Sequence, residues 1–165
     1  MVKIEPLSKM KLKETVGLVN EIFLNETEEP SDEEIPASLE PEKYQDFLSK
    51  YQMSNIRYWL VINDFGKVIG VVGLYCYEFD KNEAFWLGWF CVHPEARRSG
   101  IGNTLLRFAI NVARAEGKKF LRLYTSTNPN ELDSHRLYEK HRLKLTKEEP
   151  YPNGEFKKLY YELKF

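Results

Sequence analysis

The chain has 165 residues, with 24 Lys plus Arg against 25 Asp plus Glu and a formal net charge of -1, which argues against a general nucleic-acid binder. That length predicts one domain, residues 1–165, whose core needs neither disulfide nor structural metal. No apolar run approaches the roughly 18 residues of a membrane span, no secretion signal is visible, and Cys76 and Cys91 read as reduced, buried thiols of a cytoplasmic protein.

In chain order, Val2 to Glu5 is a short strand candidate, and Ser8 precedes a helical pattern through Leu12, Val16, Val19, Ile22 and Phe23. An acidic, proline-containing stretch from Glu26 to Glu42 follows, with eight acids and no Lys or Arg, and reads first as a solvated loop. The i, i+3, i+4, i+7 spacing of Tyr44, Phe47, Leu48 and Tyr51 predicts a helix over Pro41 to Gln52. Arg57 to Asn63 and Lys67 to Phe79 read as a hairpin about Asp64-Phe65-Gly66. Ala84 to Val92, apolar on both faces, is a candidate central strand. Ile101, Leu105, Ala109, Val112 and Ala113 mark a helix that opens at Gly100 and stops at Gly117. Phe120 to Thr125 is a further strand, and Asn128 to His141 a helix that Asn128 can cap, with Pro129 in its first turn. Lys144 to Lys147 and Phe156 to Phe165 form a terminal hairpin, which more simply completes its own sheet than pairs across a dimer. The order is mixed α/β.

The informative segment is Phe90-Cys91-Val92-His93-Pro94-Glu95-Ala96-Arg97-Arg98-Ser99-Gly100-Ile101-Gly102-Asn103, a buried strand, a loop and a helix start. Glycines at 100 and 102 let an anion approach the backbone, and free N–H groups of the first helical turn point at it. Arg97 and Arg98 add guanidinium donors, so the nest suits a pyrophosphate. No Gly-Lys-Ser/Thr follows, which excludes a Walker loop. A third glycine is missing and Arg122 sits about where a dinucleotide fold has an acid, which excludes that fingerprint.

Arg97-Arg98-Ser99-Gly100-Ile101-Gly102, directly after a strand ending Val92-His93-Pro94-Glu95, together with Leu137-Tyr138-Glu139-Lys140 downstream, resembles the GNAT superfamily of acyl-CoA-dependent N-acyltransferases. The element order agrees over Val2 to Phe165, although the specific motifs occupy only 90–103 and 134–143. The resemblance implies a mostly antiparallel sheet of six to seven strands flanked by about four helices, with Ala84 to Val92 and Phe120 to Thr125 as splayed parallel central strands. It implies acetyl-CoA as co-substrate, no metal, and transfer of the acetyl group to a primary amine of a small molecule or protein. The backbone of Phe90, Cys91 and Val92 would hold the pantetheine and polarise the thioester carbonyl. Arg97, Arg98, Ser99, Gly100, Ile101, Gly102 and Asn103 would hold the pyrophosphate, with Asn128 and Ser134 as further cofactor contacts. Tyr138 is the implied donor of a proton to the leaving thiolate, since tyrosine, titrating near pH 10, is protonated at neutral pH.

The chain departs from the family at Glu131 and Ser134, where Asn and Ala are common, and at Arg142-Leu143 after the tyrosine helix. A carboxylate position used in some relatives falls at Trp86, which accepts no proton. Glu83 and Trp86 are candidate acceptor contacts, and Glu78, Asp80 and Glu83 candidate bases acting through water, with solvated turns the blander reading of each. Cys91 and His93 lack the orienting acid of a nucleophile pair. The acidic stretch would favour a cationic amine acceptor. A non-catalytic module that senses coenzyme A is the alternative function. Monomer and homodimer both fit, with neither nucleic acid nor membrane as partner. Residues 97–122 hold seven basic residues and one acid, so the small total charge hides a polarised chain.

Overall fold

The longest alternating apolar runs build the centre of the sheet. Met53–Ile62 (β2) and Val68–Tyr77 (β3) pair antiparallel across a tight turn in which the Asn63 side chain accepts from the N–H groups of Phe65 and Lys67 at 3.0 and 2.9 Å. This computed structural model describes residues 2–23, 30–152 and 154–165. β3 is buried along almost its whole length, because helices cover both its faces.

Ile4–Pro6 (β1), Ala84–Leu87 (β4), Cys91–Val92 (β5), Phe120–Ser126 (β6), Lys144–Pro150 (β7) and Lys157–Lys164 (β8) complete one eight-stranded sheet. Its order is β1-β2-β3-β4-β6-β8-β7, with β5 pairing β3 alone. Every pair is antiparallel except β4 and β6, which run parallel from Ala84↔Phe120 to Trp86↔Arg122. β8, the terminal strand, lies inside the chain's own sheet between β6 and β7.

Lys9–Ile22 (α1), Ser31–Ala37 (α2) and Gln45–Tyr51 (α3) pack on the face that carries Val71, Tyr75 and Trp86. Ile101–Ala115 (α4) and Leu132–Lys140 (α5) cover the face that carries Val72, Leu74, Phe85 and Leu121. α4 buries Ile101, Leu105, Ala109 and Ala113, the stripe its spacing predicts, and ends where Gly117 turns left-handed at φ 78 and Lys118 N–H returns to the Ala113 carbonyl. Among the described residues no helix is long and apolar enough to cross a membrane.

The element count exceeds expectation for two local reasons. Part of the acidic stretch is helical: α2 carries Asp32, Glu33 and Glu34 in its first turn, where carboxylates complement the helix dipole, and buries Ile35 and Ala37. Glu26, Glu28 and Glu29 of that stretch lie outside the described residues. The expected strand Ala84 to Val92 is also interrupted. Leu87 stands opposite Leu74 and Cys91 opposite Val71, so four steps on one strand meet three on the other. One extra residue therefore bulges within Gly88 to Phe90, separating β4 from β5. The Asn128 helix opens likewise with a 3-10 turn, Pro129–Glu131, before α5.

β4 and β6 are clamped together by Arg122, which stands opposite Trp86 at their last paired step. Arg122 on β6 donates to Asp80 at 2.7 Å and Glu83 at 3.1 Å, both just before β4, and to Glu162 on β8 at 2.8 Å. Asp80 is 6% exposed and also accepts from the Trp86 indole at 2.9 Å. Removing the guanidinium strands a buried carboxylate, the costly half of any buried pair. Arg122→Ala is expected to lower unfolding stability by about 3 kcal/mol; urea denaturation checks this, and a change within about 0.5 kcal/mol would show that the clamp contributes little.

Candidate active site

Beyond the bulge the two parallel strands part company. β5 keeps its bonds to β3, as His93 N–H donates to the Ile69 carbonyl at 2.9 Å, but no pairing joins β5 to β6 among the described residues. Backbone direction alternates along a strand, so Val92 turns its N–H and C=O groups to the opposite side, into the gap. The Val92 carbonyl meets Arg97 there, whose Nε–H donates to it at 3.1 Å. A wedge thus opens through the sheet beside Phe90 and Val92, while Cys91 stays paired with Val71 of β3.

A groove of about 460 Å³ leads from this wedge along the start of α4 to α5. A 3-10 turn at Pro94–Ala96 leaves β5, with the His93 ring accepting from Glu95 N–H at 3.2 Å. Arg98 at φ 59 and Gly100 at φ 87 then curl the loop through left-handed conformations, and α4 begins. The first intrahelical bond runs from Thr104 N–H to the Gly100 carbonyl at 3.0 Å, so the N–H groups of Ile101, Gly102 and Asn103 lie in the orphan first turn. These residues line the groove with Arg97, Arg98, Phe90, Cys91 and Val92. Such a turn, flanked by two guanidinium groups, is built for an anion. A Cβ at Gly102 would stand 3.5 to 3.9 Å from Leu137, Val92 and Phe90, all groove residues, so its absence widens the groove rather than relieving a clash.

Ser99 and Asn128 stand behind the groove rather than in its lining. The Ser99 hydroxyl donates to the Ala96 carbonyl at 2.5 Å, and Asn128 caps its own turn by accepting from Asn130 N–H at 3.0 Å. Asn130 reaches the groove instead, with Ser134 and Arg136 of α5. Arg136 is a third cation on this wall that spacing alone did not distinguish from a surface charge. Asn103 is held by the His141 ring at 2.8 Å, joining the start of α4 to the end of α5.

Tyr138, 6% exposed, projects from α5 between groove and wedge, its ring against Phe90 and Tyr161. Burial pushes its phenol well above the ordinary tyrosine range, the Glu131 carboxylate pushes it further, and a hydrogen bond with Ser134 partly opposes both. Glu131 stands three residues after Asn128, at the N-cap position of α5, but its carboxylate makes no cap bond. It accepts from Thr125 at 3.2 Å and from Ser126, which fixes it on the wedge wall beneath Tyr138. The Cys91 thiol is pushed up to about 12 by burial, and His93 is bonded to Glu95 rather than to it, so this pair forms no nucleophile and base.

A second cavity continues the wedge to the other face of the sheet, bounded by Gly88 to Phe90, Tyr75, Tyr124, Phe23 of the segment after α1, Tyr138, Tyr151 and the carboxylates Glu34 and Glu131. Glu34, 2% exposed, reaches it from α2. Tyr58 of β2 donates to Glu34 Oε1 at 2.5 Å and accepts from the bulge N–H of Trp89 at 3.1 Å. Gly73 makes room for this tyrosine, since a Cβ there would come within 2.3 Å of its ring. Neither Glu34 nor Tyr58 was legible as a site residue: Glu34 is one acid among eight, and Tyr58 one aromatic in an alternating strand.

The carboxylates expected near the acceptor stand elsewhere. Glu83, Asp80 and Trp86 belong to the Arg122 clamp, and Glu78 pairs with Lys81 at 2.8 Å; none of the four lines the groove or the cavity. The turn before β4 lies at the paired end of β4 and β6, whereas the wedge opens at the other.

The sequence profile of the Acetyltransferase (GNAT) family matches residues 20–142. A comparison with curated proteins gives no match. Among solved structures, the fold is similar to an acetyltransferase of the GNAT family from Staphylococcus aureus Mu50, at 18% identity over 99% of each chain with a TM-score of 0.74. It is similar to an aminoglycoside 6'-N-acetyltransferase complexed with coenzyme A, at 15% identity over 98% of this chain and 96% of that one, TM-score 0.72. It is similar as well to Arabidopsis thaliana NAA60 in complex with a bisubstrate analogue, at 13% identity over 99% and 98%, TM-score 0.71. With a profile match over most of its length and the wedge and anion nest in one continuous groove, the chain belongs to the GNAT acetyltransferase family.

Proposed function

We propose that residues 1–165 form one N-acetyltransferase domain, cytoplasmic, that moves an acetyl group from acetyl-CoA directly to a primary amine. The observation that carries this reading is the wedge between β5 and β6, where strand-like backbone groups stand ready to pair with something that is not a strand. A pantetheine arm carries two amides and can take the place of the missing partner. The groove continues from there to the α4 nest, which suits a pyrophosphate at the other end of the same ligand.

In this reading Phe90, Cys91 and Val92 hold the pantetheine and polarise the thioester carbonyl through backbone N–H groups. The neutral amine attacks that carbonyl, a C–N bond forms, and the C–S bond breaks with its electron pair on sulfur. Tyr138 supplies the hydrogen bond, and then the proton, that the departing thiolate needs. Its raised phenol stays protonated through the ordinary tyrosine range, so the donor is present at neutral and mildly alkaline pH. The reading needs no acetyl-cysteine, in keeping with the high thiol of Cys91.

Acetyl-CoA affinity tests the nest. Gly102→Ala is expected to keep the melting temperature, because a Cβ there makes only ordinary contacts, and to weaken acetyl-CoA binding about tenfold in calorimetry, or about 1.4 kcal/mol. Arg97→Ala should weaken it by a similar factor; full affinity in both variants would remove the nest from cofactor binding.

Thiol release with a panel of primary amines tests the chemistry. Tyr138→Phe is expected to lower kcat by about 10²-fold with the KM for acetyl-CoA nearly unchanged. Because burial raises the phenol, wild-type turnover should show no fall centred near pH 10, the value of an ordinary tyrosine. A fall there that vanishes in Tyr138→Phe would contradict the raised value, and unchanged kcat would dismiss Tyr138 as donor.

A further inference from the structure

We infer that Arg107 and Lys140, gathered around His141, form a second phosphate seat beyond the nest, built for the phosphomonoester that coenzyme A carries on its ribose. This inference rests on the acetyltransferase reading above and names the contact that selects coenzyme A over forms of the cofactor lacking that phosphate.

The seat follows from helical spacing and one hydrogen bond. The His141 ring meets the Asn103 side-chain oxygen at 2.8 Å, which fixes the end of α5 against the first turn of α4. Asn103 lines the groove, and Arg107 stands one turn farther along α4 on the same face. On α5 the groove residues are Arg136 and Leu137, and one turn after them come Lys140 and His141. The two helices that frame the groove therefore continue outward from it with a cation each, and the histidine joins them.

The charges of this cluster bear on one another. Burial holds the His141 imidazole below the ordinary histidine value, and the charges of Lys140 and Arg107 lower it further, which places both cations within electrostatic reach of the ring. Neither Arg107 nor Lys140 has a carboxylate partner among the described residues. Glu139, the acid next to Lys140, acts on His135 and Tyr161 instead. Asp133 lies two turns back along α5, in the wall of the groove. A phosphomonoester carries a charge of about −1.5 to −2 at pH 7, so between Arg107 and Lys140 it would turn a repulsion into two charge-assisted contacts.

The spacing also suits one ligand that spans both sites. Arg107 stands four residues beyond Asn103, about 6 Å along the α4 axis. One ribose separates the pyrophosphate of coenzyme A from its third phosphate, so a pyrophosphate held at the first turn of α4 brings that phosphate to the next turn. The adenine then lies outside the seat, toward solvent, where Arg107 and Lys140 are themselves exposed.

Coenzyme A and 3'-dephospho-coenzyme A differ in this one phosphate, and calorimetry of the whole protein with each reads the seat without turnover. Wild type should bind coenzyme A about tenfold more tightly; equal affinity overturns the inference. Raising the salt should narrow that ratio, because the seat is exposed to screening, and a ratio indifferent to salt overturns the electrostatic contact. The double variant Arg107→Gln, Lys140→Gln removes both charges at exposed positions and should keep the melting temperature. It should bind coenzyme A several-fold more weakly than wild type does, with its affinity for dephospho-coenzyme A close to the wild-type value; a variant that keeps the wild-type ratio overturns the seat. Failure of wild type to bind either ligand would defeat the acetyltransferase reading itself, whereas equal binding of the two defeats the seat alone.

Discussion

A single surplus residue between Leu87 and Cys91 governs this structure. Because β4 and β5 count four steps where β3 counts three, the chain cannot continue both ladders, and it keeps the one with β3. Its other edge then leaves β6, and backbone groups that a continuous sheet would consume are exposed in the middle of the molecule. Such groups are expensive to bury without partners. The fold tolerates them because the opening is narrow, is bordered by Arg97 and Tyr138, and is closed at its far end by the Arg122 clamp across β4, β6 and β8.

The opening also joins two faces of opposite electrostatic character. On the α4 and α5 side, Arg97, Arg98 and Arg136 surround an orphan helical turn, an environment for phosphate. On the α2 side the lining is largely aromatic, and Glu34 and Glu131 are its charged members among the described residues. A near-neutral chain therefore holds opposite charges on the two sides of its sheet. Charges in such a partly buried gap interact more strongly than on the surface, so a few side chains set the polarity.

Sequence patterns made much of this legible and left a definable part hidden. The α4 stripe, the β2–β3 hairpin and the glycine loop follow from periodicity and local residue chemistry, which require only near neighbours, whereas the parallel β4–β6 pair was implied by the family resemblance alone. The bulge was not legible, because it is a mismatch between two strands, and the run from Ala84 to Val92 is apolar throughout. Glu34 was hidden for a related reason: an acid among acids differs only by what packs over it, here Tyr58 and the start of the bulge. Asn128 and Glu131 had the spacing of a capping pair, yet Thr125 and Ser126 draw Glu131 away into the wedge. Trp86 was placed near the acceptor by its position on the right strand and Glu83 by the turn before it, whereas Trp86 stands opposite Arg122 where β6 still pairs and Glu83 accepts from Arg122.

The high phenol of Tyr138 at first sight disfavours a proton donor, since an acid weakened by burial gives its proton less readily. The relevant comparison, however, is with the group that receives the proton. A thiolate formed in the same gap loses the same solvation and lies near the same Glu131 carboxylate, so its affinity for a proton rises together with that of the phenolate. In the proposed reaction, burial would remove water as a competing partner of Tyr138. In the proposed reaction, the environment that raises the phenol would therefore also strengthen its hydrogen bond to the leaving group.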